Sequence, residues 1–144
     1  MGKKLKAIDL FSGAGGLTAG FESAGINVTG SVESIEVFSK TNKLNFKNKK
    51  VVNKDIQKLT PKEFSSITGI KEIDIDILIG GPPCQSFSTI GTPKINSLKG
   101  KSTNNDPRNY LFKFFFDYIN FFKPKVFLLE NVPTIMTKHK GKLF

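Results

Sequence analysis

Short apolar runs alternate with longer amphipathic stretches along the whole chain, and that alternation restricts the fold more than any other feature. Lys6 to Phe11 reads as a strand that ends in a glycine-rich turn. Gly16 to Ala24 reads as a helix stopped by Gly25. Val28 to Val32 predicts a second strand and Ile35 to Asn45 a second helix. Val51-Val52 is a short third strand leading to Asp55. Thr60 as cap, Pro61 at the first position and Glu63 closing a capping box open a third helix. Ile75 to Ile79 is apolar except for Asp76, as suits a strand buried on both faces. Tyr110 to Phe122 predicts a helix apolar on nearly every side, and Val126 to Leu129 a fifth strand. Such alternation predicts an α/β fold with a mostly parallel sheet. No internal repeat or long linker interrupts it, so residues 1–144 read as one domain.

Hydrophobic residues make up 38% of the 144, with 14 Phe and no Trp, which is a globular composition. No apolar run approaches the ~20 residues that span a bilayer, and no signal segment follows Met1. We therefore expect a cytoplasmic protein with no membrane partner. One Cys and one His leave neither an internal disulfide nor a His/Cys zinc cluster, so no metal is expected. Net charge is +10, almost all of it from lysine. That balance fits a polyanionic partner held by phosphate contacts, and it equally fits a biased, AT-rich coding sequence. Arg108 is the only arginine. Guanine edges are read mainly by arginine, so the chain is poorly equipped to read a DNA sequence alone.

Three segments carry chemistry. The first is Asp9 to Gly16, where glycines between strand and helix let backbone approach a nucleotide-like ligand. Gly13-x-Gly15 begins a dinucleotide fingerprint that Thr18 leaves incomplete. Glu33 ends the second strand 20 residues after Gly13, where a carboxylate meets a ribose diol in doubly wound folds. Asp55-Ile56 lies on the same rim. Acidic residues at successive strand ends point to an adenosine-type ligand, although each alone reads as a solvated loop carboxylate. Gly100-Lys101-Ser102 is not a phosphate loop, because Ile95 stands where its first glycine belongs. The second segment is Gly80 to Ser88, with Cys84 just past the carboxyl end of a buried strand. Two prolines fix the chain before it, and a thiolate there is a capable nucleophile. The third is Glu130-Asn131-Val132-Pro133, one strand along, where a partly buried Glu130 could act as an acid.

These blocks resemble the amino-terminal half of DNA (cytosine-5)-methyltransferases. Asp9-Leu10-Phe11-Ser12-Gly13-x-Gly15-Gly16 is similar to the family's first cofactor motif. Gly81-Pro82-Pro83-Cys84-Gln85-x-Phe87-Ser88 is similar to its catalytic motif, and Glu130-Asn131-Val132 to its acid motif. Asp106-Pro107-Arg108 with Tyr110-Leu111-Phe112 resembles the segment that opens the following helix. The resemblance implies a Rossmann-like S-adenosylmethionine-dependent methyltransferase fold with helices on both faces. It implies S-adenosylmethionine as cofactor. Phe11 would stack on adenine and Glu33 bind the ribose. Asp55 and Ile56 would meet the adenine edge, and the backbone of Ser12, Gly13, Ala14, Gly15 and Gly16 would approach the methionine. Ser34, Gly81, Pro82 and Leu111 would complete the pocket, with Ser34 standing where the family often has an aromatic wall. Cys84 would be the nucleophile, with Glu130 and Asn131 as its catalytic partners. Gln85, Ser86, Phe87, Ser88 and Arg108 would belong to a loop that meets double-stranded DNA and closes over a flipped cytosine.

The family continues well beyond Phe144, so the resemblance implies a fold incomplete at its carboxyl end, without the target-recognition region. Two accounts follow: a fragment inactive alone, or one subunit of a split enzyme completed by a second polypeptide. A non-catalytic S-adenosylmethionine-binding module is the alternative function, and a nicotinamide-dependent oxidoreductase the more distant one. An exposed apolar sheet edge or helix face is the expected physical consequence.

Overall fold

β1 (Lys6–Leu10) is the strand around which everything else is arranged. The structure is a computed structural model that describes residues 4–83 and 110–130. On one side of β1 lies β2 (Asn27–Glu33) and beyond it β3 (Lys50–Asn53). On the other lies β4 (Ile77–Gly80) and then β5 (Val126–Leu129). All four pairings are parallel, giving the order β3-β2-β1-β4-β5. Each crossover carries a helix where the sequence predicted one: α1 (Gly16–Ser23), α2 (Glu36–Asn45), α3 (Pro61–Thr68) and α4 (Leu111–Phe122). The chain leaves β1 in one direction to build β2 and β3. It then returns across the sheet to β4, so the switch in strand order falls between β1 and β4. Ligands of doubly wound folds bind outside the carboxyl ends of the strands at that switch.

Side-chain alternation along β1 divides the interior into two layers. Ile8 and Leu10 join Val32 and Leu78 under Phe64 of α3 and Phe115, Tyr118 and Phe122 of α4. Ala7 joins Val28 and Ile79 under Leu17 and Phe21 of α1. Between α3 and α4 the rings of Phe64 and Tyr118 meet edge-on at 5.7 Å. The Tyr118 hydroxyl donates to the Leu59 carbonyl at 3.3 Å, giving its buried polar end a partner. Helix α4 is less uniformly apolar than the sequence suggested. Leu111, Phe115, Tyr118 and Phe122 form its buried stripe, while Lys113, Asp117 and Asn120 are exposed.

Local signals placed the helix ends well. Thr60 Oγ1 accepts from the Glu63 N–H at 3.2 Å, and Glu63 Oε2 accepts from the Thr60 N–H at 2.8 Å, completing the expected capping box. β4 begins two residues later than the apolar run suggested. Ile75 is core, and Asp76 anchors the strand entry by accepting from the Lys6 N–H at 3.1 Å and Lys125 Nζ at 2.7 Å. β5 is the outer strand of the described sheet, and Val126, Phe127 and Leu128 are 58%, 50% and 42% exposed. This is the apolar edge the sequence led us to expect. Among the described residues no helix is long and apolar enough to cross a membrane, and no group of three ligating side chains could hold a metal.

Candidate functional site

A cleft of about 240 Å³ opens at the carboxyl ends of β1, β2, β3 and β4. Its walls are the apolar side chains of Phe11, Val32, Ile35, Phe38, Ile56 and Leu111. Glu33, Lys54 and Asp55 supply charge, and Gly13, Ser34, Gly81 and Pro83 complete the lining. Eight of the residues singled out from the sequence thus share one cavity: Phe11, Gly13, Glu33, Ser34, Asp55, Ile56, Gly81 and Leu111.

Glu33 organises it. Its side chain is almost buried, at 7% exposure. Oε2 accepts from the Gly13 N–H at 2.8 Å, and Oε1 accepts from the Ile35 N–H at 2.7 Å. One carboxylate therefore ties the glycine-rich loop to the start of α2. Each oxygen keeps lone-pair capacity for a ligand hydroxyl. Asp55 caps the short turn Ile56–Lys58 by accepting from the Gln57 N–H at 3.0 Å, which holds Ile56 beneath the cleft. Phe11 takes a left-handed backbone conformation, φ 58, as the chain leaves β1. Such strain in a bulky residue is uncommon and concentrates at functional sites.

The rest of the loop supports the cleft without lining it. Ser12 is buried, its N–H donates to the Val32 carbonyl at 3.0 Å, and its Oγ accepts from Asn42 Nδ2 at 3.1 Å. Gly15, at φ 100, packs so closely that an added Cβ would stand 2.5 Å from the Phe46 ring. Ala14 and Gly16 are exposed beside the first turn of α1, and Pro82 is buried and does not line the cleft.

Glu130 follows β5 and extends the ladder, its N–H donating to the Gly80 carbonyl at 2.9 Å. Its Oε2 lies 3.0 Å from where a Cβ on Gly81 would sit, so the carboxylate is laid over the β4 terminus. Glu130 thus stands beside the β4 tip, although it does not line the cleft. Glu130 is exposed, whereas the sequence suggested partial burial. Cys84, Gln85, Ser86, Phe87, Ser88, Arg108 and Asn131 lie outside the described residues. Sequence reasoning missed Val32, Ile35, Phe38, Lys54 and Pro83 as cleft residues. Phe38 was findable, since it falls in the first turn of α2, which begins just past the β2 terminus that carries Glu33.

A parallel doubly wound sheet whose switch point carries an acidic-rimmed, apolar-walled cleft defines a nucleoside-cofactor-binding domain. The sequence profile of C-5 cytosine-specific DNA methylases matches residues 5–144. The type II methyltransferase M1.HphI of Haemophilus parahaemolyticus is 40% identical over 138 residues, covering 96% of this chain and 35% of that protein. M.DdeI of Desulfomicrobium norvegicum is 39% identical over 133 residues, covering 92% and 29%. Among solved structures, an E. coli prophage-encoded protein assigned as a DNA modification methyltransferase superimposes with a TM-score of 0.75 at 35% identity. That match covers 94% of this chain and 34% of the other. The Dnmt2 methyltransferase of S. pombe shares the fold at a TM-score of 0.60 and 21% identity, over 96% of this chain and 38% of that one. The chain belongs to the C-5 cytosine-specific DNA methylase family. It spans about a third of the length of the first curated relatives it matches.

Membership implies S-adenosylmethionine as cofactor, and the cleft fits it. Apolar walls suit a purine, a buried carboxylate at the β2 terminus suits a ribose diol, and a Cβ added to Gly13 would meet nothing within 4 Å. Phe38, 44% exposed at the cleft wall, stands where it could replace the aromatic surface that Ser34 does not provide. Phe38→Ala is expected to weaken S-adenosylmethionine binding roughly tenfold, the worth of about one stacking contact. The melting temperature should change little, because the ring is half in solvent. Equilibrium dialysis alongside thermal melting checks both.

Proposed function

We propose that this chain carries the cofactor site and the nucleophile of a DNA cytosine-5 methyltransferase. In this reading it acts on double-stranded DNA with the target cytosine flipped out. Turnover needs the sequence that its relatives have beyond the matched third, in the same polypeptide or in a second one. The observation that supports it most is the convergence at the β4 and β5 tips. Glu130 lies over Gly81, Gly81 and Pro83 line the cleft, and Cys84 is the residue next in sequence after Pro83.

The chemistry follows from the groups supplied. The Cys84 thiolate forms a bond to C6 of cytosine, and the C5–C6 π pair moves toward C5. Glu130, at the neighbouring strand tip, holds a proton at N3 and stabilises the charge that would otherwise build there. Its exposure lets a base enter beside it without first displacing protein. When bound, S-adenosylmethionine supplies the methyl group as an electrophile on a sulfonium. Loss of the C5 proton to water and expulsion of the thiolate restore the C5–C6 double bond. Glu33 and Asp55 fix the ribose and the adenine edge, Phe11 stacks on the purine, and Leu111 closes the apolar wall. Asn131 is the catalytic partner of Glu130, and Gln85, Ser86, Phe87, Ser88 and Arg108 meet the flipped base and DNA.

A trapping experiment tests the proposal. A duplex containing 5-fluorocytosine cannot lose its C5 substituent as a proton, so the covalent adduct persists. With S-adenosylmethionine and a complementing carboxyl-terminal segment from a relative, the chain is expected to yield a denaturation-resistant complex mapped to Cys84. Cys84→Ala should yield none. Absence of the adduct from a wild-type mixture that binds both the duplex and the cofactor would overturn the assignment and favour a non-catalytic cofactor-binding module.

A further inference from the structure

Beneath the glycine-rich loop lies a carboxyl group to which the reading above gives no task. Asp9 is fully buried on β1, and its Oδ2 accepts a 2.6 Å hydrogen bond from Thr18 Oγ1 in the first turn of α1. Among the described residues nothing hydrogen-bonds its Oδ1, and the same holds for Ser31 Oγ, Ser39 Oγ and Asn42 Oδ1. Ser31 is the register partner of Asp9 on β2, so the two side chains stand on one face of the sheet. Ser39 and Asn42 are buried one turn apart on α2. Asn42 Nδ2 reaches from that helix to Ser12 Oγ at 3.1 Å and to the Gly13 carbonyl at 3.4 Å. Buried polar groups on β1, β2, α1 and α2 thus lie under the glycine-rich loop, with Asp9 tied to α1 through Thr18 and α2 tied to the loop through Asn42.

A buried carboxylate with one idle oxygen is costly to ionise. Burial pushes Asp9 up to about 6, against the lowering effect of its hydrogen bonds with Thr18, and the charge on Glu33 adds to the rise. Among the described residues its neighbours are uncharged: Thr18 from α1 by hydrogen bond, and Ser31 of β2 and Ile79 of β4 as its register partners. Glu33, at the cleft, is the charged group whose field reaches it.

We propose that Asp9 is a positioning residue for the cofactor loop and that S-adenosylmethionine binding is coupled to loss of its proton. This rests on the cofactor reading of the cleft. The cofactor carries a sulfonium and an ammonium, so its net charge is positive. A cation bound in the cleft that this loop borders would favour the ionised form of the Asp9 carboxyl. By linkage the ionised form favours the cofactor to the same extent. The ionised carboxylate also accepts more strongly from Thr18, which fixes the first turn of α1 against the loop. The sign follows directly. In the free protein burial pushes Asp9 up to about 6, and a bound cation would move it back toward the ordinary carboxylate range. Affinity is therefore full above that pH and falls as pH drops through it. Restoring an ordinary carboxylate value gives about a tenfold loss between pH 7 and pH 5.

Calorimetric titration of the 144-residue chain from pH 5 to 7.5, with S-adenosylmethionine and with its uncharged-sulfur product S-adenosylhomocysteine, tests this against Asp9→Asn. The asparagine keeps the shape and the acceptor for Thr18 but cannot ionise. Wild type is expected to lose about tenfold in S-adenosylmethionine affinity from pH 7 to 5, with proton release near pH 6 and a weaker slope for the thioether. Asp9→Asn is expected to bind more weakly than wild type at pH 7, with no slope, while melting at a higher temperature because a buried charge is gone. A purely structural aspartate would not separate binding from stability in that way. An equal slope in Asp9→Asn, or flat wild-type binding, overturns the coupling alone. No binding at any pH by a chain that melts cooperatively overturns the cofactor reading and the coupling with it.

Discussion

Glu33→Ala is expected to lower S-adenosylmethionine affinity roughly a hundredfold, the largest binding effect of any single side chain in the described cleft. The carboxylate accepts from the Gly13 N–H at 2.8 Å and the Ile35 N–H at 2.7 Å, and it is 7% exposed. Hydrogen bonds to a charged group contribute about 1.5–3 kcal/mol each. Truncation removes the acceptor for the ribose and, in the same step, frees the loop from the start of α2. Losing about 3 kcal/mol of binding corresponds to that hundredfold change. Glu33→Gln is not a conservative control here. Two backbone donors converge on the carboxylate, so an amide must turn its own N–H toward one of them. It should fall between wild type and alanine, about tenfold weaker than wild type. Titration calorimetry at a temperature where all three chains are folded measures this. Alanine binding within threefold of wild type would remove Glu33 from the site and leave it as a loop brace only.

Glu33 was legible in the sequence because a strand-end carboxylate at a fixed distance from a glycine loop is a local pattern. The same holds for the Thr60 capping box and for the five strands, whose apolar runs are short and bounded by breakers. What escaped was set by tertiary geometry. Phe38 looks like an ordinary amphipathic helix residue until α2 packs so that its first turn faces the cleft. The expectation for Ser12 concerned its backbone, and nothing local showed that its hydroxyl would be bonded to Asn42, 30 residues away. Asp9 stands within an apolar strand, and only the pairing of β1 with β2 and the docking of α1 reveal that it is buried beside Thr18 and Ser31. Exposure of Glu130 was likewise unreadable, since it depends on what surrounds the β5 tip. Charge balance was the least informative signal, because lysine abundance does not say which face the lysines occupy.

Gly80→Ala is expected to destabilise the fold by about 3 kcal/mol, and Gly80→Val to prevent its formation. An added Cβ would stand 2.5 Å from the Leu10 carbonyl oxygen, 3.2 Å from its carbon and 3.0 Å from the Phe115 ring. The ring could shift, but the backbone could not. Leu10 is paired with Val32 on one side and with Gly80 itself on the other, at the centre of the sheet. For a chain of this size about 3 kcal/mol amounts to roughly 10 °C in melting temperature. Gly20→Ala is the matched control. Its Cβ would meet nothing within 4 Å on the exposed side of α1, so it should stabilise by about 0.5–1 kcal/mol. Urea unfolding of both variants with unchanged slope reads the difference as stability, and a Gly80→Ala midpoint equal to wild type would mean that β1 and β4 are not packed as described. The same residue couples fold to chemistry, because the Gly80 carbonyl accepts from the Glu130 N–H at 2.9 Å. A substitution that pushes β4 away from β1 must therefore also displace the carboxylate that lies over Gly81. Stability and the proposed acid function should fail together at Gly80, whereas at Glu33 the loss should be mainly one of binding.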